Sequence, residues 1–483
     1  MKKSLYLFLF CLALSNIATA QVIWQDIAEI GTTQDGNDRP RIVTNSSNEP
    51  LVIWGNSGNL MYSKWTNNAF SIPIKLNPAE IMVAQASWMG SEIAAKGDTV
   101  YIAYKQAPED DTLSSLYCIS SFDGGNTFSA PVKVDNIGNN LSRFTTIAIA
   151  DNGDVLVAFM KFDVNFLEPH WVITKSTDNG TTFSPEVEAS GLEAVSSEAC
   201  DCCPGSIATN KNTVAMLYRN NASNIRDSWT TLSNDNGTSF QNSLNIDQNE
   251  WQISECPSTG PNGFILNDTL YSVFMNAASG KGLVYFNQLS VSSTTCAPSE
   301  AVIPNYPGLA QQNFPRLKNS EEQSVMIFKQ SANGKSQLQF LYTDNISKGF
   351  LDFPASVGSN YVSNGDVAIV NDKVMVVWED YLSNTIKYRF GTIDLTFIAE
   401  DNRALNFQVF PNPSSNFWNI SGDFKNTKEV KLWNSNYQLL KSLPIANNGS
   451  IQKIDNNDLA SGVYFLQING NTSNNKFIKL IKK

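Results

Sequence analysis

One apolar run recurs seven times along this chain, each time after a polar turn and each time ending in an aromatic residue. The copies are Leu51–Trp54, Val100–Tyr104, Val155–Phe159, Val214–Tyr218, Leu270–Phe274, Ser324–Phe328 and Val374–Trp378. Their last residues follow one another at intervals of 50, 55, 59, 56, 54 and 50. The turns in front of them, such as Lys96-Gly97-Asp98 and Asn152-Gly153-Asp154, hold the residues that adopt hairpin geometry at low cost. A near-constant period of this size means that each unit buries its apolar face only against the next copy. Each unit has room for four strands, and four-stranded antiparallel units repeated radially are propeller blades. No stretch of the central region carries a helical period. The expected fold is therefore all-β, a propeller of four-stranded blades: seven, or six if one unit is irregular. The seventh unit has room for only three strands, ending near Tyr388 to Asp394. Val22 to Ile30 would supply the fourth, tying the first strand to the last and leaving no long open edge.

At 483 residues the chain is longer than one ordinary domain. It opens with Lys2 and Lys3, an apolar core from Leu5 to Leu14, and Ala18-Thr19-Ala20, the pattern of a cleaved secretory signal over residues 1–20. A membrane anchor would need about 20 apolar residues, and neither this run nor any later one reaches that length. The net charge is −11, or −13 once the signal is removed. Residues 404–483 carry nine Lys against four Asp or Glu, a net +5, which leaves −18 on residues 21–403. An acidic body excludes nucleic acid as a partner, because phosphate binding needs clustered Lys or Arg. The contrast marks two domains, expected at 21–396 and 404–483 and joined by a linker at 397–403.

Three units carry a second motif, between their third and fourth expected strands. It reads Ser121-Phe122-Asp123-Gly124-Gly125-Asn126-Thr127-Phe128, then Ser176 to Phe183 around Asp178, then Ser233 to Phe240 around Asp235; Ser63 to Phe70 is a decayed copy. The Asp carboxylate accepts N–H bonds from its own turn, the Gly supplies positive φ, and the hydroxyls complete the turn. The motif resembles the Asp-box (BNR repeat) of sialidase-like propellers. That resemblance implies a structural role for Asp123, Asp178 and Asp235, on the face opposite the one that binds substrate.

With strands alternating up and down, the loops leading into each first strand share a face with the loops joining second to third strands. Arg39-Pro40-Arg41, Ser91-Glu92, Cys200 to Pro204, Glu255-Cys256-Pro257, Pro315-Arg316 and Asp366 fall on that face. Sialidases bind a carboxylate with three arginines, whose planar forks suit it, and use a Tyr–Glu pair as nucleophile with an Asp as acid/base. The resemblance implies Arg41, Arg219 and Arg316 as substrate ligands, and Glu92 and Glu255 as candidate catalytic acids. Tyr218 belongs to the aromatic repeat and reads as blade core. The chain departs from the family where an acid/base Asp is expected after the first arginine: between Arg41 and Ser63 the only acidic residue is Glu49, in a turn on the other face. The function expected is an exported propeller acting on or binding extracellular glycans, as a glycoside hydrolase or as a non-catalytic binder of glycan or protein. A polysaccharide lyase is a further alternative, for which His170, the one histidine, would be the base.

Seven cysteines occur, of which Cys11 leaves with the signal. The six others allow fifteen pairings, and export favours disulfides. Cys200-Asp201-Cys202-Cys203-Pro204 stands one unit before Cys256, so four cysteines fall on one rim. Two readings stay open: a staple between neighbouring loops, such as Cys202 or Cys203 with Cys256, or a thiolate site for zinc or copper(I).

From Phe407-Gln408-Val409-Phe410-Pro411-Asn412-Pro413 the pattern changes to the short alternating strands of a small β-sandwich, through Leu459-Ala460-Ser461-Gly462-Val463-Tyr464 to the basic end. This resembles the type A sorting domain of the type IX secretion system. It implies that machinery as a partner, passage through the periplasm and across the outer membrane, and release or attachment at the cell surface.

Overall fold

A computed structural model of the chain describes residues 21–31, 36–192, 198–320, 323–350, 355–371, 373–394, 408–422, 427–434, 439–444, 451–470 and 475–483. The expected signal at 1–20 and the linker at 397–403 lie outside these residues.

Up to Asp394 the described residues form seven antiparallel sheets, six built on four strands in chain order and the seventh on three with the N-terminal strand added. The first strands are Asn37–Thr44, Glu92–Lys96, Leu141–Ile149, Ser206–Asn210, Asn262–Leu266, Leu309–Ser320 and Val362–Val370. Each touches the next, and the seventh touches the first. That closed ring of innermost strands makes the body a seven-bladed propeller rather than a six-bladed one. Closure follows the expected route: Gln21–Trp24 runs antiparallel to Thr385–Asp394 as the outermost strand of the seventh blade, with Val22 opposite Ile393.

The aromatic repeat is the blade core. Trp54, Tyr104, Phe159, Tyr218, Phe274, Phe328 and Trp378 are all buried on second strands, which run on past them by one to four residues. A blade is apolar on both faces, so neighbouring blades share clusters; one joins Leu156, Met160 and Trp171 to Val214, Met216 and Tyr218. This burial is the main favourable term holding the ring together.

The three Asp turns repeat one hydrogen-bond set. Asp123 Oδ1 accepts from Ser121 Oγ (2.8 Å) and from the N–H groups of Asn126 (3.0 Å) and Thr127 (2.9 Å), and Oδ2 accepts from Thr127 Oγ1 (2.6 Å). Asp178 and Asp235 do the same with their own turns. These donors hold both carboxyls near 2. Gly125 has φ +83°, and a Cβ there would stand 2.3 Å from Tyr62 Oη, which donates to the Gly125 carbonyl. The turns lean on hairpins between first and second strands, as where the Gly124 N–H donates to the Asp98 carbonyl (3.0 Å). That places them on the face away from the loops leading into the first strands.

The C-terminal residues form two antiparallel sheets: Gln408–Phe410, Phe417–Ser421 and Ile451–Asp455 in one, and Leu439–Pro444, Thr427–Asn434, Gly462–Gly470 and Asn475–Lys482 in the other. Trp418, Ile420, Val430, Leu432, Ile454, Leu466, Ile468 and Leu480 fill the space between them, the core of a small β-sandwich.

Candidate functional site at the channel mouth

Four first strands are bulged where they reach the channel mouth, between Asp38 and Arg41, Arg143 and Thr146, Asn313 and Arg316, and Val362 and Gly365. A bulge re-aims the side chains beside it. Arg39 (φ 47°) and Phe314 (φ 52°) sit in the left-handed region at two of these bulges, an arrangement that costs a non-glycine residue about 1–3 kcal/mol and concentrates at functional sites. The result is a convergence at the centre of the ring. Glu92 Oε1 meets Arg39 Nη2 and Arg41 Nε (3.1 Å), while its Oε2 meets Arg316 Nη2 (3.2 Å). Arg316 Nε also meets Asp366 Oδ1 (3.4 Å), with Lys318 Nζ 3.9 Å from Asp366 Oδ2. Arg41 Nη1 donates to the Asn364 side chain (3.1 Å), and Arg39 Nη1 to the Ser91 carbonyl (3.1 Å).

Arg39, Arg41, Glu92 and Asp366 are buried. Burial pushes the Glu92 carboxyl up, but Arg39, Arg316 and Arg41 together pull it well below the usual carboxylate range. Asp366 is likewise held low against its burial by Lys318, Arg316 and Arg41. Burial, with Arg316 and Arg39 close by, lowers the Arg41 guanidinium to about 9, so it stays charged at neutral pH. The cluster thus sets four cations against two ionised carboxylates. Glu379 meets it through the Arg39 backbone N–H (3.2 Å), and burial pushes its carboxyl up to about 7, so at neutral pH it offsets only part of the surplus.

Pro204, Gly205, Thr259, Gly260, Pro261 and Trp88 complete the mouth, enclosing a space of about 30 Å³. That is room for a water or two or for a carboxylate, not for a whole sugar ring. Two buried donors, Arg39 Nε and Trp88 Nε1, have no acceptor among the described residues. Such orphans are costly and ask for a partner.

Of the expected ligands, the structure brings Arg41, Arg316 and Glu92 together and puts Arg219 elsewhere. Arg219 is fully buried and donates to the carbonyls of Thr259 (3.1 Å) and Met275 (2.6 Å), with its guanidinium 5.3 Å over the Trp251 ring. It sits on a second strand, one layer out from the channel, where its fork pins the Thr259 loop from behind. Glu255 is exposed on the loop that carries Cys256. His170 faces Glu188 (3.3 Å) and the Glu168 carbonyl (2.7 Å), and makes no contact with the mouth cluster. Arg39, named in sequence only as the neighbour of Arg41, and Trp88, Lys318 and Asn364 were missed as site residues. The doubled Arg-Pro-Arg was the one local signal, since a proline inside a strand marks a bulge or an edge.

The cysteine rim backs this mouth. Cys202 is bonded to Cys256, with Cα atoms 6.1 Å apart. Cys200 and Cys203 are buried thiols beside it. Arg226 Nη1 donates to Cys200 Sγ (3.0 Å), and Arg143 Nη1 holds the Asp201 carbonyl (2.9 Å). The hydrogen bond with Cys203, and after it Arg219 and Arg226, bring the Cys200 thiol down to about 6 against its burial. Gly260 makes the junction possible: a Cβ there would stand 1.6 Å from the Pro204 carbonyl oxygen.

Residues 408–483 match the secretion system C-terminal sorting domain family. No curated protein matches the chain. Solved structures similar to it include a protein of unknown function from Dyadobacter fermentans DSM 18053 (10% identity over 76% of this chain and 99% of that one, TM-score 0.47). A Trypanosoma rangeli sialidase in complex with sialic acid (11%, 96% and 88%, 0.45) and a Penicillium chrysogenum alpha-L-arabinanase complexed with arabinobiose (14%, 66% and 96%, 0.42) are others. No helix among the described residues is long and apolar enough to cross a membrane. The chain ends in a secretion system C-terminal sorting domain, which hands it to type IX machinery for delivery to the cell surface or the extracellular space.

Proposed function

We propose that the propeller is an exported receptor for acidic glycans, and that it binds a sugar carboxylate at the channel mouth. One observation carries this reading: a cluster of Arg39 and Arg41, both buried, with the partly buried Arg316 and Lys318, faced by only two ionised carboxylates, Glu92 and Asp366. Buried charge without a counter-charge costs several kcal/mol, so the mouth favours an added anion. Arg39 Nε and Trp88 Nε1 are donors suited to its oxygens, and the enclosed space fits a carboxylate with the ring left outside.

Recognition is favoured over hydrolysis by the state of Glu92. Its oxygens are shared among three arginines and it is held ionised, so it has no proton to give and little basicity to offer. The test is calorimetric titration of the full chain with uronate- or sialate-bearing oligosaccharides and with neutral ones, alongside Arg41→Ala, Arg316→Ala and the charge-conserving Arg41→Lys. Binding of carboxylated glycans alone, lost in both alanine variants, is the expected result. Equal binding of neutral glycans, or none of either, would sink the reading. A fluorogenic sialoside is assayed in parallel, and turnover abolished by Arg41→Ala would replace the receptor with a glycosidase.

A further inference from the structure

Four sulfurs meet behind the channel mouth, and a single disulfide accounts for two of them. Cys200 Sγ lies 3.4 Å from Cys202 Sγ and 3.2 Å from Cys203 Sγ, and the last two are 3.9 Å apart. Cys256 Sγ joins the group through its bond to Cys202. All four come from two short loops, Cys200 to Cys203 and the one at Cys256, and the first three sulfurs are buried.

The surroundings suit sulfur as an acceptor of hydrogen bonds. Arg226 Nη1 donates to Cys200 Sγ at 3.0 Å and lies 3.9 Å from Cys202 Sγ, while its Nε donates to the Ile253 carbonyl (3.1 Å). Such a donor is the outer partner that a metal-bound thiolate takes. Four sulfurs placed about 2.3 Å from a tetrahedral ion lie about 3.8 Å from one another, and the three spacings here fall within about 0.6 Å of that edge. Among the described residues this is the one group of three or more His, Cys, Asp or Glu whose ligand atoms lie close enough to share an ion.

We propose that Cys200, Cys202, Cys203 and Cys256 together bind one thiophilic closed-shell cation, Zn²⁺ or Cu⁺, when the Cys202–Cys256 bond is reduced. Two reductant thiols pass two electrons and two protons to that bond and leave as their own disulfide, or a phosphine gives the two electrons, takes the oxygen of a water molecule to leave as its oxide, and that water supplies the two protons; either way the bond becomes two thiols. Each of the four thiols then gives up its proton as it ligates. Disulfide and ion are alternative staples for the same two loops. Both loops reach the mouth, through Pro204 on one side and Thr259 on the other.

The experiment uses the full chain, reduced with a phosphine without air and given one equivalent of Zn²⁺ or of Cu⁺ in separate arms. Native mass spectrometry counts the ions, and competition with a chromophoric chelator ranks the two metals. One ion per chain is expected, with X-ray absorption showing sulfur neighbours at about 2.3 Å. Cys200→Ser and Cys203→Ser should each weaken retention by at least about tenfold, and Cys118→Ser should not change it. Cys256→Ser abolishes the disulfide without any reductant, leaves the buried trio in place, and should still take Cu⁺. No ion on either the reduced chain or Cys256→Ser, or retention indifferent to Cys200→Ser, would overturn the proposal. So would an air-purified chain with Cys200 and Cys203 joined in a second disulfide that resists the reductant while the fold stays intact.

Discussion

Replacing Glu92 by Gln removes the carboxylate that three arginines share, and its effect follows from the geometry. The wild-type cluster sets four cations against Glu92 and Asp366; the variant leaves Asp366 alone. Gln keeps the volume and one acceptor oxygen, so the change is almost wholly electrostatic. Breaking a buried pair by removing one partner costs about 3–5 kcal/mol, because the remaining charge is left buried and uncompensated. Over a propeller of roughly 370 residues the unfolding entropy is about 0.8 kcal/mol per kelvin, so the expected fall in Tm is roughly 4–6 °C. Differential scanning calorimetry reads the shift. Added galacturonate should recover part of it, since a ligand that binds only the folded state stabilises by RT ln(1 + [L]/Kd), and should recover more in the variant than in the wild type. The wild-type pH profile gives an independent check. The folded carboxyl of Glu92 is depressed, so its contribution is present above the ordinary Glu value near 4.5 and is lost as pH falls below it. A Tm change under 1 °C, or no difference in anion rescue, would refute the view that the mouth is a desolvated cluster short of negative charge.

Glu379 titrates in the opposite sense. Its folded carboxyl is raised to about 7, so folding holds its proton and stability falls as pH rises from about 4.5 to 7. Glu379→Gln should flatten that slope and raise stability at pH 8 by about 1–3 kcal/mol in urea titrations; an unchanged slope would assign the fall to other groups. Gly260→Ala should drive the Pro204 carbonyl away and separate the loops it joins, read as a free Cys202 and Cys256 in the thiol-labelling pattern of the purified chain. Wild-type labelling would refute the close approach. Deleting residues 408–483 should leave the propeller in the periplasm rather than outside the cell, checked by fractionation; continued surface delivery would mean that another segment does the sorting.

The blades were legible in the sequence because each is specified locally. An aromatic-ended run after a hairpin turn, seven times at nearly equal spacing, needs no distant partner to be recognised, and the carboxylates of Asp123, Asp178 and Asp235 accept only from their own turns. The sorting domain was legible for the same reason, as a short contiguous pattern. The repeat allows six blades or seven, and it is the contact between the seventh first strand and the first that fixes seven. The site was only partly legible. Arg41, Glu92 and Arg316 stand 51 and 224 residues apart, and their meeting depends on bulges that turn side chains towards the axis. Arg219 looks much like Arg316 in sequence, as one arginine near a loop, yet it lies one strand outward and spends its donors on carbonyls. Whether an arginine faces a ligand or its own backbone depends on which layer of the blade it occupies. The charge surplus is likewise a sum over strands from separate blades, and only closing the ring brings those charges together out of water, where their number begins to matter.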